Sequence, residues 1–523
     1  MPALAPPPLA PLPQVARRAR LSERAAAALD VILVMVPEEP RERLLAQLPH
    51  AGLWRRLRAR PDARAGAVVS GSLANARETR AVLGILPARA SVFEMQALAG
   101  RMLKEAASRR PADLALAAPG GAAARTAALG ALLTAALAHA FEMPTFRKPS
   151  AAPHRIRRIE MIDAAGVDQR FIEAAAEGNN LARHLTGLPP NVLDARAYRG
   201  VIVALARAHR LKVRWLGERS LERLGAGAFL AVARGAASRD GGIAHLSYRP
   251  ERRSRAGARR RRPSAARGVP DVALVGKGIL FDTGGTNLKP HRSMLDMHID
   301  MAGSAVALAT LAALSRLGAP IAADAWLALT DNAIGPSAYR PQEVVRAVNG
   351  TTIQVVHTDA EGRMVLADTL ALAARTRPRL MIDFATLTGS CITALTERMS
   401  GAFTNEPRLA EALLDAGRSS GERIWSFPYD ADYDSDLESQ SADVLQCAVE
   451  GKGDHILAAR FLGRFVPRHT PWVHLDLASA LRVGGLGPVP TDVTGFGVRY
   501  ALELLLKTRV LDRLAGRTGA SAR

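Results

Sequence analysis

Short, continuously apolar runs that alternate with amphipathic stretches constrain this chain more than any other feature. Over the first 150 residues DVILVMVP precedes ERLLAQLP, TRAVLGILP precedes VFEMQALAGRMLKEAA, and DLALAAP precedes RTAALGALLTAALAHAFEM. A brief apolar run bounded by turn residues reads as a strand buried on both faces, and a longer periodic stretch as a helix. The alternation resumes after a polar, basic passage at 146–168. Helices are expected around 169–185 and 197–209, then strands at KVRWLG, GIAHLSYRP, VALVGKG, AADAWLAL, TIQVVHT, RLMIDFAT and WVHLDLA, most separated by helical patterns. The expected fold is α/β in two domains, the larger with a largely parallel central sheet flanked by helices. The expected boundaries are a flexible tail over 1–20, a smaller N-terminal α/β domain over 21–150, a linker over 151–168 and the larger domain over 169–523.

Two domains also follow from the length of 523 residues, which exceeds what one hydrophobic core usually organises. Two cysteines, Cys391 and Cys447, offer no disulfide framework and suit a reducing cytosol. The prolines of MPALAPPPLAPLPQVARRAR interrupt the apolar run that a signal peptide needs. The Ala-rich stretch near 114–141 is broken by Pro119, Gly120, Gly121 and Arg125, so no membrane span is expected. The formal charge of +21 points on its face to a polyanion such as nucleic acid. Its densest run, ERRSRAGARRRRPSAAR at 251–267, has no aromatic neighbours to stack on bases and reads equally as a solvated loop.

Two segments concentrate the chemistry: VGKGILFDTGGTNLKPHRSMLDMHIDMAGSA at 275–305 and HTDAEGRMVLADTL at 357–370. The chain uses Arg almost wherever a positive charge serves. Only 7 of its 70 basic residues are Lys, yet two of those are Lys277 and Lys289. Arg keeps its proton in a protein, whereas Lys, with a reference pKa of about 10.4, can be driven neutral and offer a lone pair. Lys277, between two glycines at a strand end, suits a metal-ligating amine. Lys289, in NLKP, suits a compact cation aimed at a developing oxyanion equally well.

Asp282 ends a buried strand and opens the turn TGG, where ligands collect in α/β folds; its plainer reading is a turn-forming Asp. Asp300 precedes an apolar helix, where an N-cap would be ordinary work for it. If TIQVVHTDAEGR runs extended to its end, the two-residue period puts Asp359, Glu361 and Arg363 on one face. A cation between those acids would relieve their repulsion, and hard oxygen donors suit Zn²⁺, Mn²⁺ or Mg²⁺. Rival motifs fail. Gly276 and Lys277 are followed by Gly278 rather than Ser or Thr, and position 271 is Asp where a phosphate-binding loop needs Gly. GRSSG at 417–421 follows the helical LAEALLDA rather than a strand, so it reads as a helix terminus and not a nucleophile elbow. There is no HExxH, and Cys391 reads as a small buried filler.

On these residues the chain resembles the leucine aminopeptidase (cytosol aminopeptidase) family. HTDAEGR is similar to the family signature NTDAEGR, and VGKGILFDTGG, NLKP and IDMAG to its metal segment. The similarity continues through LTGLPPNVLDA, DNAIGPSAYRPQEVV, DFATLTGS, SGAFTN, FPYDADYDSDLESQSADV and ILAARFLGRFV, from residue 169 onward. The resemblance implies that Lys277, Asp282, Asp300, Asp359 and Glu361 hold two divalent ions, Mn or Zn, with Asp282 and Glu361 touching both. It implies catalytic roles for Lys289 and Arg363, the latter holding a bicarbonate that acts as general base. It implies a hydroxide bridging the two metals that attacks the first peptide bond, and a pocket for Leu-like side chains shaped by Met297, Thr386 and Gly389. It also implies a cytoplasmic homohexamer acting on peptides, with the N-terminal domain accessory.

The chain departs from the family pattern in particular places. His357 stands where the family has Asn; on a strand it would share a face with Asp359, so as to orient that acid or bind metal weakly. The stretch 251–267 looks like an insertion, and GKGDHILAAR and HLDLASALRVGGLGPVPTDVTGFG differ from the family's glycine-rich forms. The net charge leaves a second class of function open, a DNA-binding regulatory protein on the same scaffold.

Overall fold

Strand Val272–Asp282 organises the larger part of the molecule. The computed structural model describes residues 7–39, 42–148, 155–250 and 268–515, so the arginine-rich stretch 251–267 and residues 1–6 of the expected tail lie outside it. Eight strands form one sheet in the order Ile424–Ser426, Ser400–Thr404, Trp472–Asp476, Leu380–Ala385, Val272–Asp282, Ala323–Asn332, Gly242–Tyr248 and Lys212–Gly217. The four central strands are parallel, and the strands that flank them on either side pair antiparallel to them.

The two-residue period of Val272–Asp282 explains why it is apolar throughout. Val272 and Leu274 enter a core shared with helix Ala302–Leu317, whereas Ala273 and Val275 enter a second core shared with helix Glu361–Ala374. A strand covered on both faces has no solvent side on which to place polar residues. Helix Ala302–Leu317 is correspondingly apolar around its whole circumference. It lies so close to the sheet that a Cβ on Gly303 would collide with the Phe384 carbonyl oxygen.

The N-terminal part forms a second, six-stranded sheet in the order Gln14–Arg18, Arg158–Ile162, Asp113–Ala117, Val31–Pro37, Arg80–Leu86 and Val68–Ser72, parallel except for its last strand. Helices Val92–Ala107 and Ala122–His139 cover one face, the first opened by a capping box between Ser91 and Glu94. Helix Ala122–His139 is apolar because it is wedged between this sheet and helix Gln169–Thr186. At that junction the fully buried Arg183 donates to the Ala138 carbonyl and lies over the Phe141 ring.

Two expectations need correction. The tail over 1–20 contains a strand, Gln14–Arg18, and the linker over 151–168 contains its partner, Arg158–Ile162. Both are short and carry charged residues, which hides them from a hydrophobic pattern. The partner brings Ile159 and Met161 into the core, and Glu160, itself buried, pairs with Arg18 at 2.8 Å. Truncation before Leu21 is therefore expected to lower Tm and promote aggregation through the exposed edge of Arg158–Ile162. Thermal unfolding with light scattering reads both, and a Tm equal to that of the full chain would mean that the edge strand adds no stability.

Candidate active site

The carboxyl ends of the central parallel strands converge, as they must in a parallel sheet, and the chemical groups gather there. Lys277 lies on Val272–Asp282, on the face turned toward helix Glu361–Ala374. Its ammonium group contacts Asp300 Oδ2 at 2.7 Å and Glu361 Oε1 at 2.9 Å and donates to the Thr386 carbonyl at 2.9 Å. It reaches them because residue 362 is Gly; a Cβ there would collide with the lysine side chain. Lys289 contacts Asp282 Oδ2 at 2.9 Å and Asp359 Oδ1 at 2.6 Å. Asp282, Asp359 and Glu361 each present an oxygen within 4.8 Å of the other two.

Four carboxylates against two ammonium groups leave two negative charges in a nearly dry site. Every resolved shift in the cluster has one sense, toward taking up protons. Burial, reinforced by Asp282, pushes Asp359 up to about 6 and raises Glu361. Burial also raises Asp300, against the pull of Lys277. Burial alone would strip the lysines of their protons, but the charges of Asp300, Glu361 and Asp282 hold Lys277 above its ordinary range, and Asp282 and Asp359 do so for Lys289.

The structure brings together Lys277, Asp282, Lys289, Asp300, Asp359 and Glu361, though not always by the local route expected. HTDAEGR is not extended: the strand stops at Gln354 and a helix starts at Glu361. Glu361 thus sits at a helix N-terminus, which favours its negative charge. On a helix, two residues turn about 200°, so Arg363 points away from the face of Glu361. Asp300 is not an N-cap; Met301 holds that place, and the Asp300 carboxylate instead faces Lys277 and accepts from Thr386 Oγ1 at 2.8 Å. His357 is exposed and off any strand, and its Nδ1 accepts from the Asp359 backbone N–H at 3.3 Å, so it braces the loop rather than the carboxylate.

Of the expected pocket residues, Thr386 borders the cluster and Met297 opens the turn Met297–Ile299 that delivers Asp300. Gly389 begins helix Gly389–Leu395, with no atom within 4 Å of where its Cβ would stand. Cys391 is fully buried in that helix, and burial raises its thiol pKa well above normal, as befits a filler. Gly421 caps helix Ala410–Ser420 with a positive φ, in line with GRSSG as a helix terminus.

Several supporting residues escaped the sequence reading. Asn332 donates to Asp282 Oδ1 at 2.8 Å and to the Thr358 carbonyl at 3.0 Å. Its place beside Asp282 at the end of a parallel strand was the available signal. Tyr339 donates to the same carbonyl at 2.7 Å. The Gln446 side chain accepts from the N–H groups of Val356 and His357 and donates to the Ala360 carbonyl, holding the loop before Glu361. Asp454 accepts from Arg363 through both oxygens, at 2.9 and 2.7 Å. Nothing local in the sequence marks these last two, since each meets the site from more than 80 residues away.

The donor set fits divalent metal ions: hard oxygens and one amine converge, negative charge is in excess, and lysine ammonium groups stand where cations are wanted. A bicarbonate on Arg363 does not fit. The buried guanidinium spends its outer nitrogen on both oxygens of Asp454 and another on the Gln446 carbonyl, so its charge is already neutralised. Because protons and metal compete for Asp359, the stability that this group lends the metal-free protein is present below its unfolded pKa and lost as pH rises through about 6. Mn²⁺ is accordingly expected to raise Tm more at about pH 7 than at about pH 5 and to release protons on binding near pH 6. Thermal shift and calorimetry in two buffers of different ionisation enthalpy read these effects; a Tm gain independent of pH would contradict them.

Comparison with known proteins gives a consistent picture. Residues 180–502 match the model of the cytosol aminopeptidase family, catalytic domain. A probable cytosol aminopeptidase of Chlorobium limicola is 37% identical over 358 residues, 68% of this chain and 67% of its own length. One from Parasynechococcus marenigrum is 36% identical over 431 residues, 81% of this chain and 85% of its own. Among solved structures, the bottromycin maturation enzyme BotP in complex with Mn superposes with a TM-score of 0.74 at 30% identity, covering 92% of this chain and 99% of that one. A tomato leucine aminopeptidase variant superposes with a TM-score of 0.80 over 96% and 98%, and at 24% identity it speaks for the fold alone.

Proposed function

The chain belongs to the cytosol aminopeptidase family, and on that premise we propose that it removes the N-terminal residue of peptides with two divalent cations, Mn or Zn, held by Lys277, Asp282, Asp300, Asp359 and Glu361. The observation that carries this reading is the convergence of four carboxylates and two lysines, with two negative charges in excess, at the carboxyl ends of buried parallel strands. Bound there, such ions would supply Lewis acidity toward the scissile carbonyl and bring a water within reach of ionisation near neutral pH.

The remaining work belongs to the chain. Lys289, kept cationic by Asp282 and Asp359, is the donor for the oxygen that gains charge as the carbonyl is attacked. Lys277 would serve as a ligand only after giving up its proton, a loss favoured by the cations that Asp300 and Glu361 would help to hold. Asn332 fixes the orientation of Asp282, and Thr386 that of both Asp300 and Lys277. Met297, Thr386 and Gly389 shape a pocket for a Leu-like first side chain, and the open space at Gly389 is the room that such a side chain needs. The larger domain over 169–523 is the catalytic unit in this reading, the N-terminal domain accessory, and the assembly a cytoplasmic homohexamer by kinship. To this we add electrostatic contact with nucleic acid, from the formal charge of +21, with duplex affinity that falls steeply with salt.

Hydrolysis of leucine anilide should vanish in chelator and return with Mn²⁺ or Zn²⁺. Glu361→Ala should abolish both metal binding and turnover, whereas Lys289→Ala should keep the metal and lose about 100- to 1000-fold in kcat. Activity indifferent to chelation would end the proposal. Gly389→Leu should move preference from Leu toward Ala substrates by about tenfold in kcat/KM; an unchanged ratio would remove Gly389 from the pocket.

A further inference from the structure

The clamp between Arg363 and Asp454 is larger in its consequences than a single ion pair. Arg363 is the third residue of helix Glu361–Ala374, two positions from Glu361, and its side chain is only 2% exposed. Asp454 is the first residue of helix Asp454–Gly463, whose N-terminus also favours its charge. The carboxylate is 23% exposed and sets both oxygens on one guanidinium nitrogen, while the other terminal nitrogen donates to the Gln446 carbonyl at 3.3 Å. Arg363 Nε is buried without a hydrogen-bond partner among the described residues, and the groups that act on Arg363 electrostatically are all of negative sense. Glu361 and the Cys447 sulfur are both close enough to act on Arg363 electrostatically. A small oxyanion arriving at Arg363 would find its positive charge neutralised and would meet a fixed like charge beside it.

We propose that Asp454 is the resident anion of Arg363, so that this chain carries, as its own side chain, the carboxylate that would otherwise be taken from solution as bicarbonate. The inference deepens the functional reading above, but its binding arm does not depend on that reading. Asp454 lies in GKGDHILAAR, one of the segments where the chain leaves the family's glycine-rich pattern. Arg363 and Asp454 then join the starts of two helices packed on each other, the first of which carries Glu361. Asp454 is in this account a positioning residue, acting through Arg363.

The binding arm uses metal-free protein. Bicarbonate, titrated by calorimetry and by NMR of the ¹³C-labelled ion, should show no saturable site on the wild-type chain. Asp454→Ala should acquire one, and the double variant Asp454→Ala with Arg363→Met should lose it again. Saturable binding to the wild type that disappears in Arg363→Met overturns the proposal, and so does an Asp454→Ala protein, folded by circular dichroism, that binds no bicarbonate. Should Asp454→Ala fail to fold, Asp454→Asn keeps the shape and removes the charge, and the wild-type measurement decides without any variant. In the activity arm, Mn²⁺-loaded wild-type enzyme should turn over leucine anilide equally well with bicarbonate stripped or added. Asp454→Ala should be slowed and regain several-fold with bicarbonate or formate. Several-fold stimulation of the wild type by bicarbonate also overturns the proposal. If no form hydrolyses the peptide analogue, the functional reading fails while the binding arm still decides this one.

Discussion

Like charges packed into one buried pocket repel one another, and the centre of this protein is arranged around containing that repulsion. Asp282, Asp300, Asp359 and Glu361 are drawn from three separate stretches of chain and pressed to within reach of two lysines. Their burial makes the repulsion strong, and their partners make it tolerable: two ammonium groups, the Asn332 amide, the Thr386 hydroxyl and a helix N-terminus at Glu361. What these partners leave is a deficit of positive charge. A deficit of that kind, lined with hard donors, has the chemistry that suits divalent cations.

The scaffold supplies the rigidity such a cluster demands. Parallel strands end together, so residues 277, 282 and 332 and the carbonyl of Thr386 arrive near one end of the sheet without any long loop. Cores on both faces lock the strand that carries Lys277. The glycines at 303 and 362 have a different use from turn formation: they let helix backbone and lysine side chain pass at distances that a methyl group would forbid. Loss of a methyl group at those points is therefore a gain in precision at the site.

How much of this could be read from the chain varies by residue, for physical reasons. The long buried strands and the helices around 92–107 and 169–186 were visible because their apolar pattern is dense and periodic. Gln14–Arg18, at the sheet edge, and Arg158–Ile162, beside it, were hidden because short arginine-bearing strands carry little pattern and are specified by their neighbours. In HTDAEGR the residue types pointed to a cation site, whereas the assumed extended backbone was mistaken: the apolar run after Arg363 begins a helix early enough to capture Glu361. That shift of backbone turned Arg363 from a companion of the acids into the partner of Asp454.

By itself the sequence determined the fold class, the strands that would be buried on both faces, and the lysines and acids whose chemistry suits a cation site, because periodicity and side-chain chemistry are local properties. Only the tertiary structure decided which of those groups meet, that Asn332 and Gln446 brace them, and that Asp454 pairs with Arg363. Such contacts join residues tens to hundreds of positions apart, and no local pattern encodes a distance in space. They are settled when helices and strands dock, and it is the docking that turns a list of reactive residues into a site.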